Sequence, residues 1–411
     1  MHLLAIFLGL VFAWSLVSKR FERSVLTAPI AFTGAGILFA LLAPEGELSR
    51  ASQEQLLRIA EIGLVLLLFA DASHADLRVL RTSKSLPLRL LSIGMPLTIA
   101  FGVIGALLLF PGMSLWEAGI LAAILAPTDA GLGQVIVNHP RVPAKVRQAL
   151  NVEAGLNDGL AVPFLLFFMA VLAPRLGDGS ATTDPSLLAL MWEQLGLGAL
   201  LGLAIGWGGG KLLAIAHRRG SIAAPWQPLG IVVLPLLCLL ASEELRASMF
   251  IAAFAAGLAV QIGYEHAPKH AVEFTESWGQ LFNLSVFFLF GLVAPLAVPH
   301  LALRHVAYAL ASLTVVRMLP VAAALLGARF DRSTILFAGW FGPRGLASIV
   351  LGLVYVEQHL HTSSQYELRL AVIATVLLSI FLHGITAAPG TALYARRVRQ
   401  LPPEAPERAE T

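Results

Sequence analysis

The sequence predicts an all-α polytopic membrane protein of about thirteen transmembrane helices, folded as two inverted six-helix repeats with two interrupted crossing helices. Three observations carry that expectation. Of the 411 residues, 57% are hydrophobic and only 13% charged, and mean hydropathy is +0.79, whereas soluble domains carry about 25% charged residues. Lysine and arginine fall unevenly on alternate loops. Helix-breaking motifs also recur in matching runs, Ala126-Pro127-Thr128-Asp129 in one half and Gly342-Pro343-Arg344-Gly345 in the other.

Apolar runs long enough to span begin at Leu3–Val17, which follows Met1 with no basic leader or Ala-x-Ala cleavage site, so an uncleaved first span is expected. Next come Val25–Ala43, Leu56–Ala70, Leu86–Phe110, Leu115–Val137 and Val146–Ala173. A long glycine-rich run, Leu187–Ala216, precedes Trp226–Ser242, Met249–Gly263, Trp278–Val298, Leu301–Leu326, Thr334–Val356 and Leu370–Tyr394. The repeats are expected over residues 1–183 and 221–395, joined by a seventh span within 184–220 and followed by a short cytoplasmic tail, 396–411. Met95-Pro96 matches Met318 and Pro320 at a similar offset.

Orientation follows from the cationic loops. One alternate set, with the tail, holds residues such as Lys19, Arg20, Arg81, Arg141, Lys145, Arg147, Arg329, Arg332 and Arg396, while the other holds only Arg50, Arg58, Arg175, Arg246, Arg304 and Arg369. The rich side is read as cytoplasmic, with the N-terminus outside. The net charge of +3 points to no partner, and no nucleic-acid ligand is expected. Cys238, the single cysteine, sits in an apolar run and reads as a buried thiol.

Charges inside the spans carry the functional argument. A charged side chain at the bilayer centre costs roughly 2.5–3.5 kcal/mol on insertion scales, so such residues face a pathway and find partners. Asp129, Glu153 and Asp158 oppose Arg317 and Arg344. Even with both arginines paired, one carboxylate is left over, and it needs a proton or a cation. Asp158 is the first candidate; residues four apart share a helix face, which places small Ala154 beside it and Glu153 beside Asn157. Asn157 offers donor and acceptor and can orient Asp158. Proline opens each broken helix and frees backbone groups. Asp129 then either balances helix ends, with Arg344 at the opposite ends, or touches a cation directly. Thr128 offers hard oxygen ligands suited to an alkali cation, or bonds back to its own helix. Asp71 either reaches the site from the third span or ends its helix at the interface; Asp76 and His139 read as solvated loop residues.

Taken together, Ala126-Pro-Thr-Asp129, the basic loop with Arg141, Pro143 and Arg147, Asn151-Val-Glu-Ala-Gly-Leu-Asn-Asp-Gly159 and Phe341-Gly-Pro-Arg-Gly-Leu346 resemble the monovalent cation:proton antiporters, in their NhaP-like sodium/hydrogen exchanger branch. The resemblance implies a thirteen-span fold with core and dimerisation domains, a homodimer in the cell membrane, and exchange of Na⁺ (or K⁺, Li⁺) for H⁺ without a cofactor. It implies that Asp158 binds ion and proton with Asn157 as its partner, that Thr128 contributes a backbone oxygen, that Asp129 supports the crossing, and that Glu153 pairs with Arg344. An Asn-Asp pair implies electroneutral, one-for-one exchange. Two departures are Ala154, where the family often has serine, and the third-span acid, which stands here at Asp71 near the helix end.

A Na⁺-coupled symporter of a small organic anion, its carboxylate on Arg344, would use the same architecture. An intramembrane enzyme is disfavoured, because the sequence holds no Gly-x-Ser-x-Gly or His-Glu-x-x-His.

Overall fold

A computed structural model describes residues 2–21, 25–42, 53–74, 85–129, 132, 142–172, 189, 192–265, 269–358, 360, 362–402 and 405–407. Asp76, His139 and Arg141 lie outside the described residues. Regular structure among the described residues is helical: α1 (His2–Phe21), α2 (Ala28–Leu42), α3 (Gln53–His74), α4 (Ser85–Arg89), α5 (Met95–Leu109), α6 (Leu115–Ile124), α7 (Ala144–Leu172), α8 (Gly198–Arg218), α9 (Trp226–Leu245), α10 (Met249–Gly263), α11 (Lys269–Ala297), α12 (Leu303–Leu313), α13 (Val315–Ala324), α14 (Arg332–Trp340), α15 (Leu346–Glu357) and α16 (Gln365–Gln400). Among the described residues eight helical segments are each long and apolar enough to cross a membrane, and Ala28–Leu42, Leu115–Ile124, Met249–Gly263 and Leu346–Val356 are shorter apolar helices.

Proline shapes two matching runs. Pro96 has no N–H for the carbonyl one turn back, and a π-helical turn, Leu90–Gly94, absorbs the mismatch between α4 and α5. The run Leu301–Leu326, expected as a span, forms one membrane-crossing segment, Leu303–Ala324, that is kinked at Thr314 (φ −114°, ψ −92°) between α12 and α13. Pro320 crowds the carbonyl of Val316, and the chain gives way just upstream. In the described part of the run from Leu187, a π-helical turn, Trp192–Leu197, stands ahead of α8.

Packing sorts the helices into two bundles, each drawing on both halves of the chain. One holds α1–α3 with α8–α11, and the other holds α4–α7 with α12–α16. The glycine-rich seventh run explains itself at the α8–α10 crossing: Gly198, Gly202, Gly206 and Gly210 recur every fourth residue and are all buried. A Cβ at Gly202 or Gly206 would strike the backbone of Ala252 or Ala256 in α10. Such close approach substitutes for a hydrophobic drive that lipid cannot supply. Gly36 of α2 meets Gly291 of α11 in the same way. Cys238 is a buried free thiol, as expected of its run.

The bundles meet along α3, α7, α10 and α15. Here α7 lays Gly155 against Phe254 and Gly159 against Ile251 of α10, so closely that a Cβ at either glycine would have to displace those side chains.

Candidate functional site

Two helix breaks face each other. α6 stops at Ile124, and Pro127, Thr128 and Asp129 continue as irregular chain; α14 stops at Trp340, and residues 341–345 are irregular before α15 begins. Each break opens backbone groups that lipid cannot satisfy. The other break supplies most of their partners. The Asp129 amide donates to Pro343 O at 2.8 Å. Asp129 Oδ2 accepts from the Leu346 amide at 2.6 Å and Oδ1 from the Leu132 amide at 3.2 Å. A carboxylate thus sits on the N-terminal end of α15, where the macrodipole favours it. Conversely, Arg344 Nη1 donates to Ala126 O at 2.6 Å and to Pro127 O at 2.8 Å, placing positive charge on carbonyls freed past the end of α6. Gly345 is required in this arrangement, because a Cβ there would collide with Asp129 Oδ2.

α7 carries the remaining acids past this crossing. Asn157 Nδ2 donates to Thr128 Oγ1 at 2.8 Å, so the threonine hydroxyl engages α7 and not its own helix. Asp158 is buried, and its Oδ1 has no hydrogen-bond partner among the described residues; the same holds for Asn157 Oδ1. Asp158 lies within electrostatic reach of Asp129 and Asp71. Asp71, half-buried near the end of α3, in turn feels Glu276 and Asp129. The sequence-predicted residues Asp158, Asn157, Thr128 and Asp129 therefore converge, with Asp71 approaching from the other bundle.

One pairing differs from the expectation. Glu153 makes its ion pair with Arg317, Oε1 to Nη1 at 2.6 Å, both side chains 2% exposed, and not with Arg344. The reason lies in the crossing: the Arg344 head group is drawn to the orphan carbonyls of α6, which leaves Arg317 from α13 to meet α7. Arg344 remains close enough to feel both charges.

Sequence reasoning also missed two residues of α16. Ser379 Oγ accepts from the Arg344 amide at 2.6 Å, and His383, buried on the next turn, places Nε2 2.9 Å from Trp340 O. The available signal was a Ser-x-x-x-His spacing inside an apolar span, where an ionisable residue is a functional-site candidate by default.

No group of three or more His, Cys, Asp or Glu side chains suited to a resident metal occurs among the described residues. What the site offers is a buried carboxylate with a free oxygen, beside hydroxyl, amide and backbone oxygens. Such hard ligands suit an alkali cation or a proton.

Comparison with known proteins agrees with this geometry. The family described as sodium/hydrogen exchanger, transmembrane, matches residues 3–392. The K(+)/H(+) antiporter NhaP of Alkalimonas amylolytica is 25% identical over 405 residues, covering 94% of this chain and 66% of that protein. The uncharacterized Na(+)/H(+) exchanger YjcE of Escherichia coli is 32% identical over 191 residues, covering 45% of this chain and 34% of that protein. This chain thus spans less than two thirds of either relative. The solved structure of the sodium proton antiporter MjNhaP1 from Methanocaldococcus jannaschii at pH 8 superimposes with TM-score 0.77 at 18% identity, covering 98% of this chain and all of that one, and so shares its fold. From the paired helix breaks, the acids of α7 and the match across nearly its whole length, the chain is a multi-pass membrane protein that belongs to the transmembrane sodium/hydrogen exchanger family.

Proposed function

We propose that this protein is a secondary antiporter that exchanges Na⁺, K⁺ or Li⁺ for H⁺, with cation and proton competing for Asp158. The observation that carries the reading is the unpartnered Oδ1 of a buried aspartate beside two interlocked helix breaks. A carboxylate among hydrocarbon must be neutralised. A proton or an alkali ion does this at the same oxygen atoms, so one excludes the other. Competition at one site, combined with alternating access, yields exchange without further machinery. Thr128 and Asn157 help to line the site, Asp71 reaches it from α3, and Asp129 acts on the helix ends and by its charge. With one ionisable residue in the Asn157–Asp158 pair, the exchange is one-for-one and electroneutral.

The two halves, 1–183 and 221–395, are inverted repeats, and the bundle holding α4–α7 and α12–α16 rocks against the other around Asp158. The protein works as a homodimer in the cell membrane, its N-terminus outside and its C-terminus cytoplasmic.

Symport of an organic anion on Arg344 is the competing reading. Arg344 keeps Nη1 on Ala126 and Pro127 and has Nε and Nη2 unpartnered among the described residues, but its complete burial argues against an exchangeable carboxylate there. Proteoliposomes with an imposed pH gradient and a pH-sensitive dye separate the two. Antiport gives cation-dependent dequenching that Asp158→Asn abolishes; symport gives substrate-dependent Na⁺ uptake and no proton flux. Wild-type rates in Asp158→Asn would remove Asp158 from the site.

A further inference from the structure

We propose that Ser379 and His383 of α16 are positioning residues for the ion site, replacing the hydrogen bond that the break between α14 and α15 severs. In an unbroken helix the amide of residue 344 would donate to the carbonyl of residue 340. Here the chain between them is irregular and that bond is absent; Trp340 O accepts instead from the Gly342 amide at 2.9 Å, and a second lone pair is left for another donor. α16 inserts a relay into the gap. The Arg344 amide donates to Ser379 Oγ at 2.6 Å, Ser379 Oγ stands 3.1 Å from His383 Nδ1, and His383 Nε2 stands 2.9 Å from Trp340 O.

Nδ1 stands 3.1 Å from both the Ser379 hydroxyl and the Ser379 carbonyl, and the shorter Nε2–Trp340 O contact is taken as the one that donates. Trp340 O only accepts, so Nε2 carries the proton and donates. Nδ1 then accepts from the Ser379 hydroxyl, which has already taken the Arg344 amide on its own lone pair. One neutral imidazole and one hydroxyl restore the path from residue 344 to residue 340. The clamp extends one step further: the imidazole lies 5.1 Å from the Trp340 ring, centroid to centroid, and Trp340 Nε1 donates to Thr386 Oγ1 at 3.0 Å. Ser379, His383 and Thr386 share one face of α16 by their spacing.

Neither Ser379 nor His383 is placed to ligate the ion. Their effect passes through Arg344, whose backbone they hold and whose guanidinium holds the Ala126 and Pro127 carbonyls beside Thr128. The inference rests on the antiport reading, and a single assay separates the two. Initial dequenching rates of reconstituted protein are measured against Na⁺, K⁺ and Li⁺ concentration for wild type, Ser379→Ala, Ser379→Thr and His383→Leu. Loss of the relay frees the break by about one buried hydrogen bond, so Ser379→Ala and His383→Leu raise the cation KM about tenfold with maximal rate kept within about twofold. Ser379→Thr, which keeps the hydroxyl, returns KM to the wild-type value.

A wild type that moves no protons with any of the three cations defeats the antiport reading itself. An active wild type with unchanged KM in Ser379→Ala overturns the positioning role alone. So does a fall in maximal rate at constant KM. Ser379→Cys and His383→Gln, close in size to the native residues, guard against misfolding; if these too are recovered only as aggregate, the pair serves folding and the proposal fails.

Discussion

The Glu153–Arg317 pair supports a quantitative test of how charge is distributed inside the bundle. Among the described residues its one ion-pair contact is Oε1 to Nη1 at 2.6 Å. Glu153 Oε2 and Arg317 Nε and Nη2 have no hydrogen-bond partner among the described residues. Removing either partner therefore strands the other charge in a site 2% exposed, and breaking a buried pair from one side costs about 3–5 kcal/mol. Removing both together costs much less, since no charge is left behind. The double-mutant cycle of Glu153→Gln with Arg317→Gln should then give a coupling of at least about 3 kcal/mol, at or above the upper end for interacting residues. The cycle of Glu153→Gln with Arg344→Gln should give under about 1 kcal/mol, because Arg344 reaches Glu153 only through space while its Nη1 is bonded to two carbonyls. Reversible unfolding of purified protein in mixed micelles supplies the free energies. A larger coupling in the Arg344 cycle would refute the pairing assigned here.

Three further predictions concern fixed points of the fold. Gly345→Ala drives a Cβ into Asp129 Oδ2, whereas a Cβ at Gly352 meets only Val372 Cγ1 at 3.6 Å; the first variant should lose at least about tenfold in transport and the second almost nothing, and equal rates in the dye assay would dismiss the Asp129–Leu346 contact as a requirement. Gly206→Leu should collapse the α8–α10 crossing and lower the thermal midpoint sharply, while Gly208→Leu, with nothing within 4 Å of its Cβ, should be tolerated. Asp331, the N-cap of α14 in a loop outside the spans, is held below the usual carboxylate range by hydrogen bonds from Ser333 and by the Arg397 guanidinium. A depressed folded-state pKa stabilises above the unfolded value of about 3.9 and loses that contribution as pH falls below it. Asp331→Asn should therefore flatten the acid limb of the melting profile; an unchanged limb between pH 5 and about 3 would show that the cap is inert.

What the sequence made legible was chemistry written into single residue types. Pro127 and the Gly342-Pro343 step announce breaks because proline lacks an N–H wherever it stands. A carboxylate in a run such as Val146–Ala173 is out of place by composition alone, so Asp158 stands out in the sequence. Pairing is a different kind of fact. Glu153 has two arginines within electrostatic range, and the choice depends on where α13 and the break at residue 344 lie in space, information that no spacing within α7 contains. Arg317 was therefore named as an intramembrane charge without its partner. The kink at Thr314 was within reach, since Pro320 stood in the run from which it arises. Ser379 and His383 escape a reading built on intramembrane acids and arginines, although a buried histidine in a span answers to the same cost argument.

The placement of hydrogen bonds bears on how such a molecule moves. Several orphan groups at the crossing find their partners in the other break or in α16: Ala126 and Pro127 carbonyls with Arg344, the Leu346 amide with Asp129, the Asp129 amide with Pro343, the Arg344 amide with Ser379. All of these belong to the bundle of α4–α7 and α12–α16, so moving that bundle as one body breaks none of them. At its border the contacts named are apolar, Gly155 on Phe254 and Gly159 on Ile251, one turn apart on α7 and flanking Asn157 and Asp158. Apolar contacts are non-directional, and sliding them exchanges like for like, whereas shearing the crossing would expose buried donors at about 1–3 kcal/mol each. The lower-cost displacement is therefore the one that carries Asp158 past α10 with its surroundings intact, which is the motion that alternating access at this carboxylate requires.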